Sequence, residues 1–339
     1  MKKITALLLA LMMLAGVLAS CGKPKDAGND GKLKVVTTIF PEYDWVRAIL
    51  GDKADNAEVT MLLDNGVDLH SYQPTADDIV KISDCDLFVY VGGESDGWVE
   101  NALKNAANKN MKVINLLEVL GDSVKTEETV EGMQEDGHDH GHSHDEHDEE
   151  HDEAEGHDHG EEKDEHVWLS LKNAQALCVT LADALCAIDP DNKNTYIANA
   201  AAYRDKLAAL DADYKAAVEG AAHKTILFGD RFPFRYLVDD YGLRYYAAFA
   251  GCSAETEASF ETVSFLAKKV DELGLPCVLT IEGTQHKIAE TIVQNTAEKN
   301  QKVLTMDSMQ STTSKDVANG TTYLSVMEKN LSVLKEALG

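Results

Sequence analysis

Histidines and carboxylates crowd one short stretch of the chain, residues 137–166. These 30 residues hold nine histidines, 14 aspartates or glutamates, and one apolar side chain, Ala154. Imidazole nitrogens and carboxylate oxygens are ligands that divalent transition metals take from proteins. With almost no apolar surface to bury, the stretch cannot offset the entropy of ordering its backbone. It predicts a disordered loop that gathers metal loosely. The alternative is a solvated acidic insert whose histidines are incidental.

The last histidine of this stretch differs from the other eight. His166 is followed by Val167, Trp168 and Leu169, so it enters a packed core and is predicted to belong to a fixed metal site. The others are predicted as accessory metal ligands of the loop: His138, His140, His142, His144, His147, His151, His157 and His159.

Four side chains at predicted strand ends or loop exits could form the fixed site: His70, His166, Asp230 and Asp307. Two imidazoles and two carboxylates suit Zn²⁺ or Mn²⁺. Each also has a simpler interpretation, because loop histidines are often only solvated and aspartates after strands are often helix caps.

Strands alternate with helices in both halves of the chain, which predicts α/β architecture with parallel sheets. Strands are predicted at 33–40, 57–63, 86–91, 112–115, 225–228, 243–249, 277–281 and 303–306. Between the halves, residues 189–219 read as one long helix with an apolar stripe formed by Tyr196, Ala200, Tyr203, Leu207, Leu210, Tyr214 and Ala217. We expect this helix to pack along both halves. A coiled-coil partner is the alternative.

The N-terminus has the composition of an export signal, with Lys2 and Lys3 before an apolar run. Leu18–Cys21 (LASC) resembles the bacterial lipobox, so residues 1–20 are predicted as a lipoprotein signal peptide and Cys21 as the lipid attachment site. A plain secretory signal with a chance cysteine is the alternative. Residues 21–32 then form a polar tether to the membrane surface.

Charge and cysteine content narrow the function further. The formal net charge is −28, which makes nucleic acid a poor partner and cations good ones. Beyond Cys21 five cysteines remain, so they cannot all pair with one another. A disulfide between Cys252 and Cys277 is possible, and no CxxC pair indicates a thiolate zinc site.

Two histidine motifs resemble those of the metal-binding lipoproteins that serve zinc or manganese ABC importers. Residues 65–74 (NGVDLHSYQP) look like that family's first ligand loop, with Leu69 where proline is usual. Residues 164–169 (DEHVWL) look like its second, with Glu165 in the proline position. The acidic, histidine-rich insert resembles that of the zinc-specific members.

The resemblance implies two (β/α) lobes with parallel sheets, joined by a long rigid helix, and a metal site in the cleft between them. The predicted parts are an N-terminal lobe at 33–188 with a disordered loop at 122–165, a linking helix at 189–220, and a C-terminal lobe at 221–339. One departure concerns the family's third ligand, whose place holds Arg231, which cannot bind metal. Asp230 is the predicted substitute, and His286 and His223 are spare candidates.

We therefore expect a solute-binding protein that is not an enzyme. It would be extracytoplasmic, lipid-anchored and monomeric, capture Zn(II), and deliver it to an ABC transporter permease. Imidazoles favour zinc, whereas carboxylates lean towards harder ions, so Mn(II) import, with or without an adhesin role, is an alternative. The others are a metallohydrolase and a simple metal buffer. Residues 147–151 (HDEEH) fit a metallopeptidase pattern, but their composition makes this a coincidence.

Overall fold

The computed structural model describes residues 31–134, 162–253, 257–283 and 286–339, and residues 33–339 form one compact unit. The predicted signal peptide, Cys21 and the eight accessory histidines lie outside the described residues.

The first lobe is a four-stranded parallel sheet in the order β2-β1-β3-β4. The two central strands, β1 and β3, are largely buried apolar runs, which is typical of a sheet with helices on both faces. Thr75 caps the second helix in a reciprocal pair with Asp78. The elements are β1 Leu33–Thr37, α1 Phe40–Leu50, β2 Ala57–Met61, α2 Ala76–Asp84, β3 Leu87–Tyr90, α3 Val99–Lys104, β4 Lys112–Asn115 and α4 Leu116–Leu120.

The second lobe repeats this topology, with the order β6-β5-β7-β8. Strand β5 is longer than predicted because it continues past an irregularity between Phe228 and Arg231. Two helices, α5 Leu171–Ile188 and α6 Lys193–Gly220, precede this lobe in the chain. The elements of the lobe are β5 Thr225–Phe232, α7 Arg235–Tyr241, β6 Arg244–Ala250, α8 Phe260–Leu273, β7 Cys277–Thr280, α9 Lys287–Asn295, β8 Lys302–Thr305, α10 Ser314–Ala318 and α11 Tyr323–Leu338.

The long helix α6 packs on helices of both lobes, and the predicted two-lobe α/β fold is confirmed. Six of the seven stripe residues are buried, and Val218 takes the place of Ala217 at the end. The hydroxyl of Tyr214, near the end of the stripe, donates to the carbonyl of Met327 on α11 at 2.7 Å. One apolar core therefore runs from the first sheet through α6 into the second lobe.

Both flanks of the segment 122–165, predicted to be a disordered loop, have fixed places in the structure. Residues 122–134 and 162–165 make specific contacts: Lys125 donates its backbone N–H to the Tyr236 hydroxyl, and Gln134 donates its own to the carbonyl of Ala248. Thr126 and Lys163 form an antiparallel bridge that joins the two flanks. These hydrogen bonds pair backbone groups of the two flanks with partners far away in the sequence. The local sequence alone therefore did not indicate that the flanks are ordered.

Helix α5 is apolar enough to suggest a membrane span, but it lies in the core of the protein. Among the described residues it is the one helix long and apolar enough to cross a membrane. Eight of its side chains are buried against α6 and its other neighbours, so it is a core helix of this unit.

The described cysteines, including Cys252 and Cys277, are all free thiols, so the disulfide considered between these two is not formed. Cys277 is buried in the middle of the second sheet, and Cys252 lies in the loop after β6.

Candidate metal centre

His166 is the deepest side chain of the site and is completely buried. It precedes a single helical turn, Val167–Leu169, whose apolar side chains are also buried. One oxygen of Asp164 accepts both the backbone N–H of His166 at 2.9 Å and its ring Nδ1 at 3.0 Å. Burial lowers the pKa of His166, but the carboxylates of Asp164, Glu165 and Asp68 together raise it above the ordinary value. This contact puts the ring proton on Nδ1 and leaves the Nε2 lone pair available.

The His166 loop is held by the second lobe as well as by the first. The Tyr236 hydroxyl donates to the carbonyl of Asp164 at 2.8 Å. The indole N–H of Trp168 donates to the carbonyl of Ser308 at 2.8 Å. The ring of His166 is thus fixed relative to both sheets.

His70 approaches from the loop that follows β2, in the turn Leu69–Ser71. Asp68 accepts the backbone N–H of His70 at 3.0 Å, which starts this turn. Ring atom Nδ1 lies 2.9 Å from the Ser95 hydroxyl and 3.5 Å from Oε2 of Glu165. Burial, the neighbouring His166 ring and Arg231 lower the pKa of His70 to about 4, so the imidazole is neutral at pH 7. Neutral imidazole is the form that binds metal.

The two rings meet through the nitrogens that their outer partners leave free. Nε2 of His70 lies 3.2 Å from Nε2 of His166. Two nitrogen ligands at about 2.0–2.1 Å from a tetrahedral zinc ion lie about 3.3–3.4 Å apart. The pair is therefore already spaced for two ligands of one ion.

A third donor joins this pair, and it is a cysteine. Donor atoms of His70, His166 and Cys252 all lie within 4.8 Å of one another, and the described part of the chain contains no other such group of three. The backbone N–H of Cys252 donates to Glu127 at 2.7 Å. Burial and Glu127 raise the pKa of the Cys252 thiol far above its usual range, so the thiol stays protonated without a metal.

Asp230 and Arg231 are neighbours on β5, and neither belongs to the cluster of three donors. Asp230 sits at the irregularity of β5, where its oxygens accept the backbone N–H of Arg231 at 2.9 Å and of Ile281 at 3.4 Å. Burial raises the pKa of Asp230. Arg231 forms an ion pair with Asp68 at 2.7 Å and so joins the second lobe to the first.

Asp307 follows β8 and is also outside the cluster of three donors. One of its oxygens accepts the backbone N–H of Met309 at 2.8 Å in a local turn, and the next helix begins only at Ser314, so Asp307 is not the helix cap considered as its alternative. Burial and the neighbouring Glu282 raise the pKa of Asp307 to about 6. Of the four predicted ligands the structure thus brings together the two histidines, and it places the two aspartates apart from them.

The spare candidates are not in the cluster either. His223 lies before β5 and donates its backbone N–H to the carbonyl of Leu338. His286 precedes α9 and is partly buried near Asp230.

Comparison with known proteins identifies the family. Residues 35–337 match the family described as ZnuA, zinc-uptake complex component A, periplasmic. The chain belongs to this family. It is 30% identical to the high-affinity zinc uptake system protein ZnuA of Bacillus subtilis over 326 residues, which are 95% of this chain and 94% of that one.

Two further ZnuA-family comparisons concern a longer protein and its structure. The chain is 35% identical to the zinc-binding lipoprotein AdcA of Streptococcus pneumoniae serotype 4 over 341 residues, or 99% of this chain. It spans only 61% of that relative's length. The crystal structure of the Zn(II)-bound ZnuA-like domain of S. pneumoniae AdcA matches 91% of this chain and 99% of that domain, with 31% identity and a TM-score of 0.68.

Sequence reasoning on this ZnuA-family chain missed Cys252 and the outer partners of the two rings. Cys252 follows directly after a strand, as the four predicted ligands follow strands or loops, so its position was a usable signal. Ser95 and Glu165 gave no such signal, because their relation to His70 depends on a contact across 25 and 95 positions.

Proposed function

We propose that this chain captures Zn(II) outside the cytoplasm and delivers it to the permease of an ABC importer. The observation that carries the proposal is the pair of imidazole nitrogens 3.2 Å apart, each ring oriented by a partner at its other nitrogen. The names of the similar proteins, a zinc-binding lipoprotein and a high-affinity zinc uptake protein, agree with it.

Zinc fits this pair better than manganese does. Imidazole suits zinc, whereas manganese prefers carboxylate, carbonyl and water oxygens. The carboxylates of Asp164 and Glu165 contact the Nδ1 sides of the rings and not the nitrogens that meet. In that position they fix the rings and strengthen them as ligands, as outer partners of zinc-binding histidines do.

A carrier, and not an enzyme, is the activity that the site supports. A hydrolytic zinc site needs an open coordination position beside a general base. Here His166 is completely buried, and the carboxylate of Asp164 is engaged with its ring and its backbone N–H. Lipid attachment through Cys21, a monomeric state and the contact with a permease belong to this proposal.

The test is a set of Zn²⁺ and Mn²⁺ titrations of the full chain in mild detergent. Four proteins are compared: wild type, His70→Ala, a deletion of residues 137–160, and His223→Ala as a matched histidine control outside the cluster. The proposal expects one tight zinc in all but His70→Ala, with only weaker zinc lost in the deletion.

Two results would overturn the proposal. If the deletion abolishes all zinc binding, the chain is a metal buffer and the histidine pair is not the cargo site. If the tight site survives but prefers Mn²⁺, the carrier function moves to manganese.

A further inference from the structure

We propose that Cys252 is the third zinc ligand, so that the cargo is held by two imidazoles and one thiolate. This inference rests on the proposed function and names the donor that the second lobe contributes. The sequence pointed instead to Asp230, and Cys252 was considered only as half of a disulfide.

The first argument is distance. The sulfur of Cys252 is within 4.8 Å of a donor nitrogen of each histidine. On a tetrahedral zinc ion, with Zn–S near 2.3 Å and Zn–N near 2.0–2.1 Å, sulfur and nitrogen ligands lie about 3.6 Å apart. About 1 Å of side-chain movement therefore brings all three donors to zinc distances.

The second argument is the backbone that brings Cys252 to this place. A Cβ on the preceding Gly251 would lie 2.9 Å from the carbonyl oxygen of Phe232 and 3.1 Å from Cε1 of His166. Glycine is what allows the chain after β6 to run against the imidazole. The loop thus carries the thiol directly past the His166 ring.

The third argument is the symmetry of the two lobes. His70 lies in the loop after β2, the strand that pairs with β1 at one edge of the first sheet. Cys252 lies in the loop after β6, the strand that pairs with β5 at the same edge of the second sheet. The two lobes therefore offer one donor each from equivalent loops, with His166 between them.

The other side chains of the second lobe near the site are less able to serve. Both oxygens of Asp230 accept backbone N–H groups of its own lobe. Arg231 is cationic and occupied by Asp68. Asp307 caps its own turn and is outside the cluster.

The charges around the thiol favour a cation. Glu127, Asp164 and Glu165 all act electrostatically on Cys252. Zinc binding replaces the thiol proton, so a dication arrives, one proton leaves to solvent, and a neutral thiol becomes a zinc-bound thiolate. A sulfur donor also makes the site prefer zinc over manganese, because manganese prefers oxygen ligands.

The experiment uses Zn²⁺ and, as a spectroscopic substitute, Co²⁺, on the full chain in mild detergent. Cys252→Ser is compared with wild type, and Cys186→Ser, a second thiol outside the cluster, is the matched control. We expect wild type and Cys186→Ser to show a sulfur-to-cobalt charge-transfer band that Cys252→Ser lacks. Zinc affinity in Cys252→Ser should fall by about 100-fold or more, since losing even an outer partner of a ligand costs about 10–100-fold.

A second readout does not depend on the Cys252 variant. One equivalent of zinc should slow alkylation of Cys252 by N-ethylmaleimide in wild type, followed by mass spectrometry, and should not do so in His70→Ala. An absent charge-transfer band, or labelling unaffected by tightly bound zinc, would overturn the thiolate ligand while leaving the zinc carrier intact. If wild type bound no tight zinc, the proposed function and this inference would both fail.

Discussion

Replacing Asp164 with asparagine tests whether an outer carboxylate prepares His166 for zinc. The carboxylate is 2% exposed, and one of its oxygens accepts two hydrogen bonds, from the backbone and from ring Nδ1 of His166. Asparagine keeps the shape and removes the charge. It can also turn its amide N–H₂ towards Nδ1, which would move the ring proton to Nε2 and block the lone pair that faces His70.

The expected cost follows from what this contact does. Loss of an outer partner of a metal-binding histidine typically weakens metal affinity about 10–100-fold, which is about 1.4–2.7 kcal/mol. The assay is competition for zinc with a chelator of known affinity at pH 7.5, together with a thermal unfolding curve without metal. A loss within this range, with the fold retained, is the expected result.

The control is Asp189→Asn. Asp189 also accepts two side-chain hydrogen bonds, from Tyr196 at 2.5 Å and Asn192 at 2.8 Å, between the helices α5 and α6. The Asp189→Asn substitution should lower the stability of the protein without changing its zinc affinity. If Asp164→Asn bound zinc as tightly as wild type, the argument from the outer carboxylate would be refuted.

Two further variants test a buried carboxyl and a rejected ligand. Burial, with a smaller effect of Asp96, raises the pKa of Glu42 to about 8, so the folded state holds a proton that the unfolded state loses above its pKa of 4.5. Stability should therefore fall as the pH rises from about 4.5 to 8, by up to about 1.4 kcal/mol per pH unit, and Glu42→Gln should remove this slope in urea unfolding at pH 5, 6.5 and 8. Equal slopes in the two proteins would contradict the assignment. Asp230→Asn should leave zinc affinity unchanged, because both carboxylate oxygens serve backbone N–H groups, and a large loss in the same competition assay would restore Asp230 as a ligand.

The fold was largely predictable because its signals are local. Strand β4 at Lys112–Asn115 has the predicted bounds. Buried strands of four to eight residues and capped helices leave marks within a few positions of themselves. The long helix was predictable for the same reason, since its stripe of side chains repeats at helical spacing.

Only the two histidines of the site could be predicted, because its other contacts join residues that are far apart in the sequence. His70 and His166 could be recognised from motifs, but their meeting spans 96 positions. The flank at 122–134 was taken for disordered chain, because the contacts of Lys125 and Gln134 are with Tyr236 and Ala248 more than 100 residues away. Asp230 was chosen because it adjoins Arg231 in sequence, whereas the three donors that lie together are those of His70, His166 and Cys252.

The contacts that hold each ligand loop indicate which of the three donors must move to bind zinc. His166 belongs to the first lobe by sequence, yet the hydroxyl of Tyr236 and the carbonyl of Ser308 hold its loop from the second. These bonds make His166 the fixed point of the cluster. His70 and Cys252 stand on loops that leave the edge strands of the two sheets. Because the imidazole pair is already at zinc spacing, the remaining movement of about 1 Å falls to the Cys252 loop alone. The Cys252 loop would therefore close on a metal that the two histidines have already captured.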